Sequence, residues 1–202
     1  MNYEVIARSK SNIDKANLAL VDKENWSGFR YRPRTTAKLE YIKDKGFQVK
    51  LECFESAPLA RYKNFMDDVW TDSCMEFFIN FAPHKSDLYL NFEMNSAGAW
   101  LVGIGPERDG RTVPEAVVKS GMAPKAKVEA DRWSVKLFIP LEVVRELYGD
   151  DIEITDGYKM KGNFYKCGED TPLEHYLSWS PIESPHPEFH LPEYFSDMTV
   201  KF

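Results

Sequence analysis

Two stretches decide the fold: Cys74-Met75-Glu76-Phe77-Phe78-Ile79-Asn80-Phe81 and, past the break at Pro83, Leu88-Tyr89-Leu90-Asn91-Phe92-Glu93-Met94. In the first, Met75, Phe77, Ile79 and Phe81 alternate with Glu76, Phe78 and Asn80. In the second, Leu90, Phe92 and Met94 alternate with Tyr89, Asn91 and Glu93. A side-chain period of two is that of a β-strand. Asn95-Ser96-Ala97-Gly98 then reads as a turn, after which Ala99 to Gly103 pairs back. If the two strands pair, their apolar sets share one face and face a core. The opposite face collects Glu76, Phe78, Asn80, Tyr89, Asn91 and Glu93.

Working outward, the same pattern recurs. Phe47, Val49, Leu51 and Cys53 alternate with Gln48, Lys50 and Glu52, behind a Lys45-Gly46 turn that follows a strand over Ala37 to Ile42. Lys125 to Glu129 and Trp133 to Ile139 form another hairpin around Ala130-Asp131-Arg132, and further strands lie near 161–166, 176–180 and 198–202. One helix is predicted with Pro140 in its first turn, where a missing N–H costs nothing. Leu141, Val144, Leu147 and Tyr148 continue it and Gly149 ends it. A second short helix covers Pro114 to Lys119. Many short strands with one or two short helices predict an all-β fold, an antiparallel β-sandwich of jelly-roll or immunoglobulin-like type. A doubly wound α/β fold needs helices between most strands. The length of 202 residues predicts a single domain over 1–202.

Composition removes several function classes. The net charge is −6 and no basic tract occurs, which argues against nucleic acid as a partner. No apolar stretch approaches the ~18 residues of a membrane span. With 43% hydrophobic and 14% aromatic residues, the chain can build a core. Cys53, Cys74 and Cys167 are odd in number and form no CxxC pair, so neither a zinc ribbon, a thioredoxin motif nor a disulfide framework is expected. The start, Met1 to Arg8, lacks a basic and then apolar leader, which places the chain as given in the cytoplasm, or outside the cell if a leader was trimmed. Oligomeric state has no sequence signature here.

The mixed polar and aromatic face suits a pyranose, whose hydroxyls take carboxylates and amides and whose C–H face takes a flat ring. A solvated surface with scattered aromatics has the same parity. Two tryptophans stand apart by their polar neighbours: Trp70, between Asp67-Asp68-Val69 and Thr71-Asp72-Ser73, and Trp179, in Leu177-Ser178-Trp179-Ser180-Pro181. Trp26, Trp100 and Trp133 fit a core. His186 and His190 are flanked by Pro185 and Pro187, which forbid a metal-binding helix. Asp67, Asp68 and Asp72 are weak calcium candidates, oxygen donors without the EF-hand spacing. Glu76 and Glu93 offer an acid pair for glycoside hydrolysis. Gly103-Ile104-Gly105-Pro106 lacks the third glycine of a dinucleotide loop.

The segment Val69-Trp70-Thr71-Asp72-Ser73-Cys74-Met75-Glu76-Phe77-Phe78-Ile79 resembles the W-x-D-S-x-E strand of carbohydrate-binding module family 9, a DOMON-like group. Tyr89 to Asn95 with Gly98, Gly162 to Lys166, His175 to Pro181 and Phe189 to Phe195 resemble that family's later blocks, in its order, over about residues 65–202. The resemblance implies a β-sandwich that binds carbohydrate without catalysis. A pyranose, at a chain end in some members, would lie between Trp70 and Trp179, with Glu76 as a polar contact. Asn91 and Arg108 are added to that set from the polar strand face and from the loop Pro106 to Arg111. Calcium occurs in some relatives; no other cofactor is implied. Two alternatives remain open: a glycoside-processing enzyme or its accessory domain using Glu76 and Glu93, and a DOMON-like scaffold for haem or a partner.

Overall fold

The alternation over 74–95 is realised as an antiparallel pair, β5 (Cys74–Asn80) and β6 (Tyr89–Asn95), in which Glu76 sits opposite Glu93, Phe78 opposite Asn91 and Phe77 opposite Phe92. The computed structural model describes all 202 residues. Before this pair come β1 (Asn2–Arg8), β2 (Ala19–Leu20), β3 (Thr35–Ile42) and β4 (Gly46–Cys53). After it come β7 (Trp100–Gly105), α1 (Glu115–Ser120), β8 (Lys125–Val128), β9 (Trp133–Pro140) and α2 (Leu141–Tyr148). The chain ends with β10 (Lys159–Gly168), β11 (His175–Ser178) and β12 (Ser196–Lys201). The strands lie in the order β7-β6-β5-β10-β12-β1-β3-β4-β9-β8, with β11 on β10 and β2 on β3.

This path curls into a β-sandwich. Met75, Phe77 and Ile79 of β5 share one core with Val49 and Leu51 of β4 and Val135 and Leu137 of β9. Phe47 and Phe81 meet across it with ring centroids 4.9 Å apart. Hydrophobic burial on both inner faces is what holds two sheets together. The one departure from an antiparallel plan is β1, which runs parallel to both β12 and β3 and joins the two halves. Parallel neighbours need a long crossover, and between β1 and β12 that crossover is almost the whole chain.

Local signals were followed closely. At the β3–β4 hairpin Gly46 has φ +146°, and a Cβ there would strike the carbonyl oxygen of Ile139 on β9. Only glycine fits that approach. Pro140 ends β9 and caps α2 from outside, one position before its expected place in the first turn. Gly149 follows α2, its N–H donating to Arg145 O at 2.7 Å. No helix is long and apolar enough to cross a membrane.

The outer face of β5 and β6 is not solvated: every residue of both strands is buried. A second, smaller core covers it, formed by Trp26, Phe78, Tyr89, Tyr165, Tyr176, Ile182, Phe189 and Phe195 among others. The irregular chain over 182–195 forms most of this lid. It is pinned by Trp26 Nε1–H donating to Ser184 O at 3.0 Å and by Phe189 stacking on Tyr165 at 4.2 Å.

One charge lies fully inside. Lys166 of β10 is 0% exposed, and its Nζ donates to Ser73 Oγ at 3.0 Å, to Cys167 O at 2.8 Å and to His175 Nε2 at 2.6 Å. Glu55 lies 3.8 Å away and accepts from Ser73 Oγ at 2.5 Å and Trp133 Nε1 at 3.0 Å. A buried charge persists only when paired and hydrogen-bonded.

Candidate functional site

Where the lid leaves β5 and β6 uncovered, a cavity of about 280 Å³ opens, lined by 14 residues. That volume is near the lower end of small-molecule sites, which run from about 300 Å³. Cross-strand pairing builds its floor. Glu76 and Phe78 from β5 stand beside Glu93 and Asn91 from β6 because strand parity puts all four on the same face. Cys167 enters the floor from β10, and Tyr176 from β11 forms a wall. Glu188, Phe189 and His190 come from the lid, and Arg108 from the loop after β7.

Trp70 forms a further wall. It is carried by a single 3-10 turn, Val69–Thr71, anchored by fully buried Val69. The turn is held from below by Asp72, whose oxygens accept from Arg61 Nε at 3.2 Å, Tyr62 N at 3.1 Å and Asn95 Nδ2 at 3.0 Å. Asp67 accepts from the backbone N–H groups of Lys63 at 3.1 Å and Asn64 at 2.8 Å. The three acids proposed for calcium, Asp67, Asp68 and Asp72, therefore do not form one ligand set. Two are occupied by N–H donors, and Asp68 is exposed. The convergent donor group is instead Cys74, Glu76 and Cys167, all buried, with ligand atoms within 4.8 Å of one another. Its thiols are neutral: burial pushes Cys74 up to about 11, and Cys167 is raised well above its usual range by its bond with Cys74 and by burial.

The floor is a hydrogen-bonded relay. Arg111 Nε–H donates to Asn91 Oδ1 at 2.9 Å, and Asn91 Nδ2–H donates to Glu93 Oε1 at 2.8 Å. The Arg111 Cζ in turn lies over the Tyr89 ring, 4.1 Å from its centroid, and the side chain donates to the carbonyls of Tyr89 and Gly103 at 2.8 and 3.0 Å. Gly103 makes room for it, since a Cβ there would sit 2.9 Å from Asn91 Oδ1 and 3.2 Å from Arg111 Nε. Cys167 Sγ–H donates to Glu76 Oε1 at 3.0 Å. His190 Nδ1 bonds Tyr89 Oη at 2.8 Å.

Burial dominates the electrostatics. It pushes Glu93 up to about 7 against the opposing pull of Asn91 and Arg111. Burial, then Cys167 and the Glu93 charge, hold Glu76 well above the usual carboxylate range. Burial and the nearby arginines press His190 down to about 3, so the imidazole is neutral and its 4.0 Å approach to Glu93 is not an ion pair. Burial and Lys166 press His175 down to about 4.

These shifts set a pH profile. Glu93 contributes stability that is complete below its ordinary value of 4.5 and declines as pH rises through about 7, and Glu76, also raised by burial, acts in the same direction. The depressed histidines contribute stability that is complete above their ordinary value of 6.5 and declines as pH falls toward about 4 for His175 and about 3 for His190. In the overlap the folded chain holds extra protons on the raised acids while the unfolded chain holds extra protons on the two histidines, so the two effects oppose each other. The expected result is a plateau of unfolding free energy between about pH 4.5 and 6.5, with a fall on either side. Urea unfolding from pH 3 to 9 tests it; a steep slope inside that window contradicts the balance.

Of the residues singled out in the sequence, Trp70, Glu76, Asn91 and Arg108 line the cavity. Arg108 does so from the rim, 65% exposed and bonded to Glu188 Oε2 at 2.5 Å. Trp179 does not reach it. The indole is 4% exposed in the main core, edge-on to Tyr3 at 5.9 Å and tilted against Phe164 at 5.8 Å. No Trp70–Trp179 sandwich exists. The reason is alternation through β11 and the residue just past its end: Leu177 and Trp179 lie in the main core, whereas Tyr176 belongs to the outer face and supplies the wall. Tyr176, Glu169, Glu188 and His190 were not in the expected set. Only the alternation of Tyr176 with Leu177 carried a sequence signal.

The family model described as carbohydrate-binding family 9 matches residues 8–200. Solved structures with a similar fold include a candidate carbohydrate-binding protein from Bacteroides uniformis, 24% identical, with a TM-score of 0.83 and 99% of each chain covered. They include a family 9 carbohydrate-binding module from Caldicellulosiruptor kristjanssonii in complex with glucose, 11% identical, with a TM-score of 0.69, covering 100% of this chain and 96% of that one. The cellotriose complex from the same organism is 12% identical, with a TM-score of 0.70, covering 100% and 94%. At these identities the likeness is one of fold. No curated protein sequence matches the chain significantly.

Proposed function

The chain belongs to carbohydrate-binding family 9, and on that premise we propose that the cavity over β5 and β6 binds one sugar ring. Trp70 is the stacking platform and Tyr176 the facing wall. Glu76 and Glu93 take hydroxyls, as does the free N–H of Asn91, and Arg108 closes the rim. The observation that supports this most is the convergence of an indole, a phenol, two carboxyls and an amide on one cavity of monosaccharide size. The relatives solved with glucose and cellotriose make a neutral hexose or its oligomer the first ligands to try.

Binding here is without turnover. Glycoside hydrolysis needs two carboxyls on opposite sides of the scissile bond. Glu76 and Glu93 are instead direct cross-strand neighbours on a single floor. With one stacked ring and a few hydrogen bonds, affinity falls in the micromolar to millimolar range, roughly −4 to −8 kcal/mol. Trp70→Ala is expected to weaken glucose or cellotriose binding at least tenfold, about the ~2 kcal/mol of a central aromatic contact. The unfolding midpoint should stay unchanged. Calorimetry on the wild type and the variant tests it. Undiminished binding in the folded variant removes Trp70 from the site, and release of an aryl glucoside's phenol that stops in Glu76→Gln reverses the non-catalytic assignment.

A further inference from the structure

The hydrogen-bonding capacity left free inside the cavity is unequal. Glu76 is 2% exposed and uses only Oε1, toward Cys167; its Oε2 has no partner, yet it is not sealed among the atoms that lack both partner and access. Glu93 likewise uses only Oε1 within the protein, toward Asn91. Glu169 lines the cavity with no bond to any protein group. The cations are committed elsewhere. Arg111 spends all three nitrogens on Asn91 and on backbone carbonyls, and Arg108 is paired with Glu188. The His190 imidazole is bonded to Tyr89. The cavity thus presents acidic acceptors and two aromatic walls, and its one cation with unused donors, Arg108, sits at the exposed rim beside Glu188.

From this we infer that the preferred ligand carries an ammonium group, so that the site selects an amine-bearing sugar over a neutral or acidic one. The inference rests on the sugar-binding assignment above and specifies its ligand. An ammonium donates three hydrogen bonds and no acceptor competes for its place. Charge-assisted bonds to a carboxylate are about twice as strong as neutral ones, and a cation near an indole face gains further attraction. The acids themselves favour such a guest: Glu76, Glu93 and Glu169 are all pushed upward, chiefly by burial, and a cation among them relieves that cost. An acidic sugar would meet the same carboxyls with the opposite sign.

The test is calorimetric titration of the full chain at pH 7.5 with glucosamine, glucose, N-acetylglucosamine and glucuronate. Glucosamine is expected to bind about tenfold more tightly than glucose, the worth of one charge-assisted bond. N-acetylglucosamine should lose that advantage, and glucuronate should bind most weakly. In Glu76→Gln and Glu93→Gln, each checked for cooperative unfolding, the glucosamine-to-glucose ratio should fall below about threefold; if one variant fails to fold, the other serves. Equal affinity for glucose and glucosamine overturns the amine preference and leaves the sugar-binding assignment standing. Binding of none of the four sugars by the folded chain overturns both.

Discussion

Trp179→Ala is expected to lower the unfolding free energy by about 3–5 kcal/mol, the usual cost of emptying a buried indole site. The side chain is 4% exposed and lies against Tyr3 of β1 and Phe164 of β10. Its backbone N–H is also tied to Phe164 O at 2.9 Å. Around this indole, the N-terminal strand and two neighbouring C-terminal segments share one packing site, so its loss leaves a void that no single neighbour can fill. Trp179→Phe should retain much of the stability and all of the ligand affinity, because the residue faces away from the cavity. Urea unfolding measures the first effect and calorimetry on the folded Phe variant the second. A loss below about 1 kcal/mol in the alanine variant, or a loss of affinity in the phenylalanine variant, contradicts a core role.

The second large effect is expected at Lys166. Lys166→Met removes a fully buried cation and strands Glu55, whose side chain is 8% exposed. Burial alone would raise Glu55, but Lys166, Ser73 and Trp133 together hold it below its ordinary value. Breaking such a pair from one side costs about 3–5 kcal/mol, whereas replacing both members is near neutral. The single variant should therefore be severely destabilised and Lys166→Met with Glu55→Gln should recover most of the loss. His175, held down to about 4 by burial and by Lys166, should titrate at a higher pH in the double variant. Unfolding curves for the three chains and an NMR titration of the imidazole decide it. A double variant no better than the single one would mean that packing, and not charge pairing, dominates.

What could be read from the sequence follows from which interactions are periodic. β5 and β6 were legible because every second residue is apolar over their whole length, and that same alternation put Glu76, Asn91 and Glu93 on one face. α2 was legible from its flanking Pro140 and Gly149. β1 was not, because only Tyr3 and Val5 mark its inner face and both its partners are distant. The lid over 182–195 has no period at all; its prolines and hydrogen bonds are specific to its seat, so the burial of the β5–β6 outer face could not be anticipated. Trp70 reaches the cavity because its polar neighbours make the turn that projects it. Trp179 has equally polar neighbours, but Ser178 and Ser180 are buried, each bonded within the fold. Polar flanks alone misplace a residue when short hydroxyls can be satisfied internally. Tyr176 shows the better guide, since alternation with Leu177 assigns it to the opposite side from Trp179.

The position of β1 bears on how the chain assembles in time. Its register with β12 runs from Asn2 opposite Asp197 to Ile6 opposite Lys201. β1 is made long before β12, so one of its edges stays open until β12 follows. Until then the N-terminal half, β1-β3-β4, carries an open edge and half of a shared core. Such a topology is dominated by non-local pairing, which slows folding because the loop must close before contacts reward it. Unpaired edges of this kind are also where chains associate wrongly. Tyr3, buried against Phe164 and Trp179, is where the N-terminal strand packs onto that later-made half of the core.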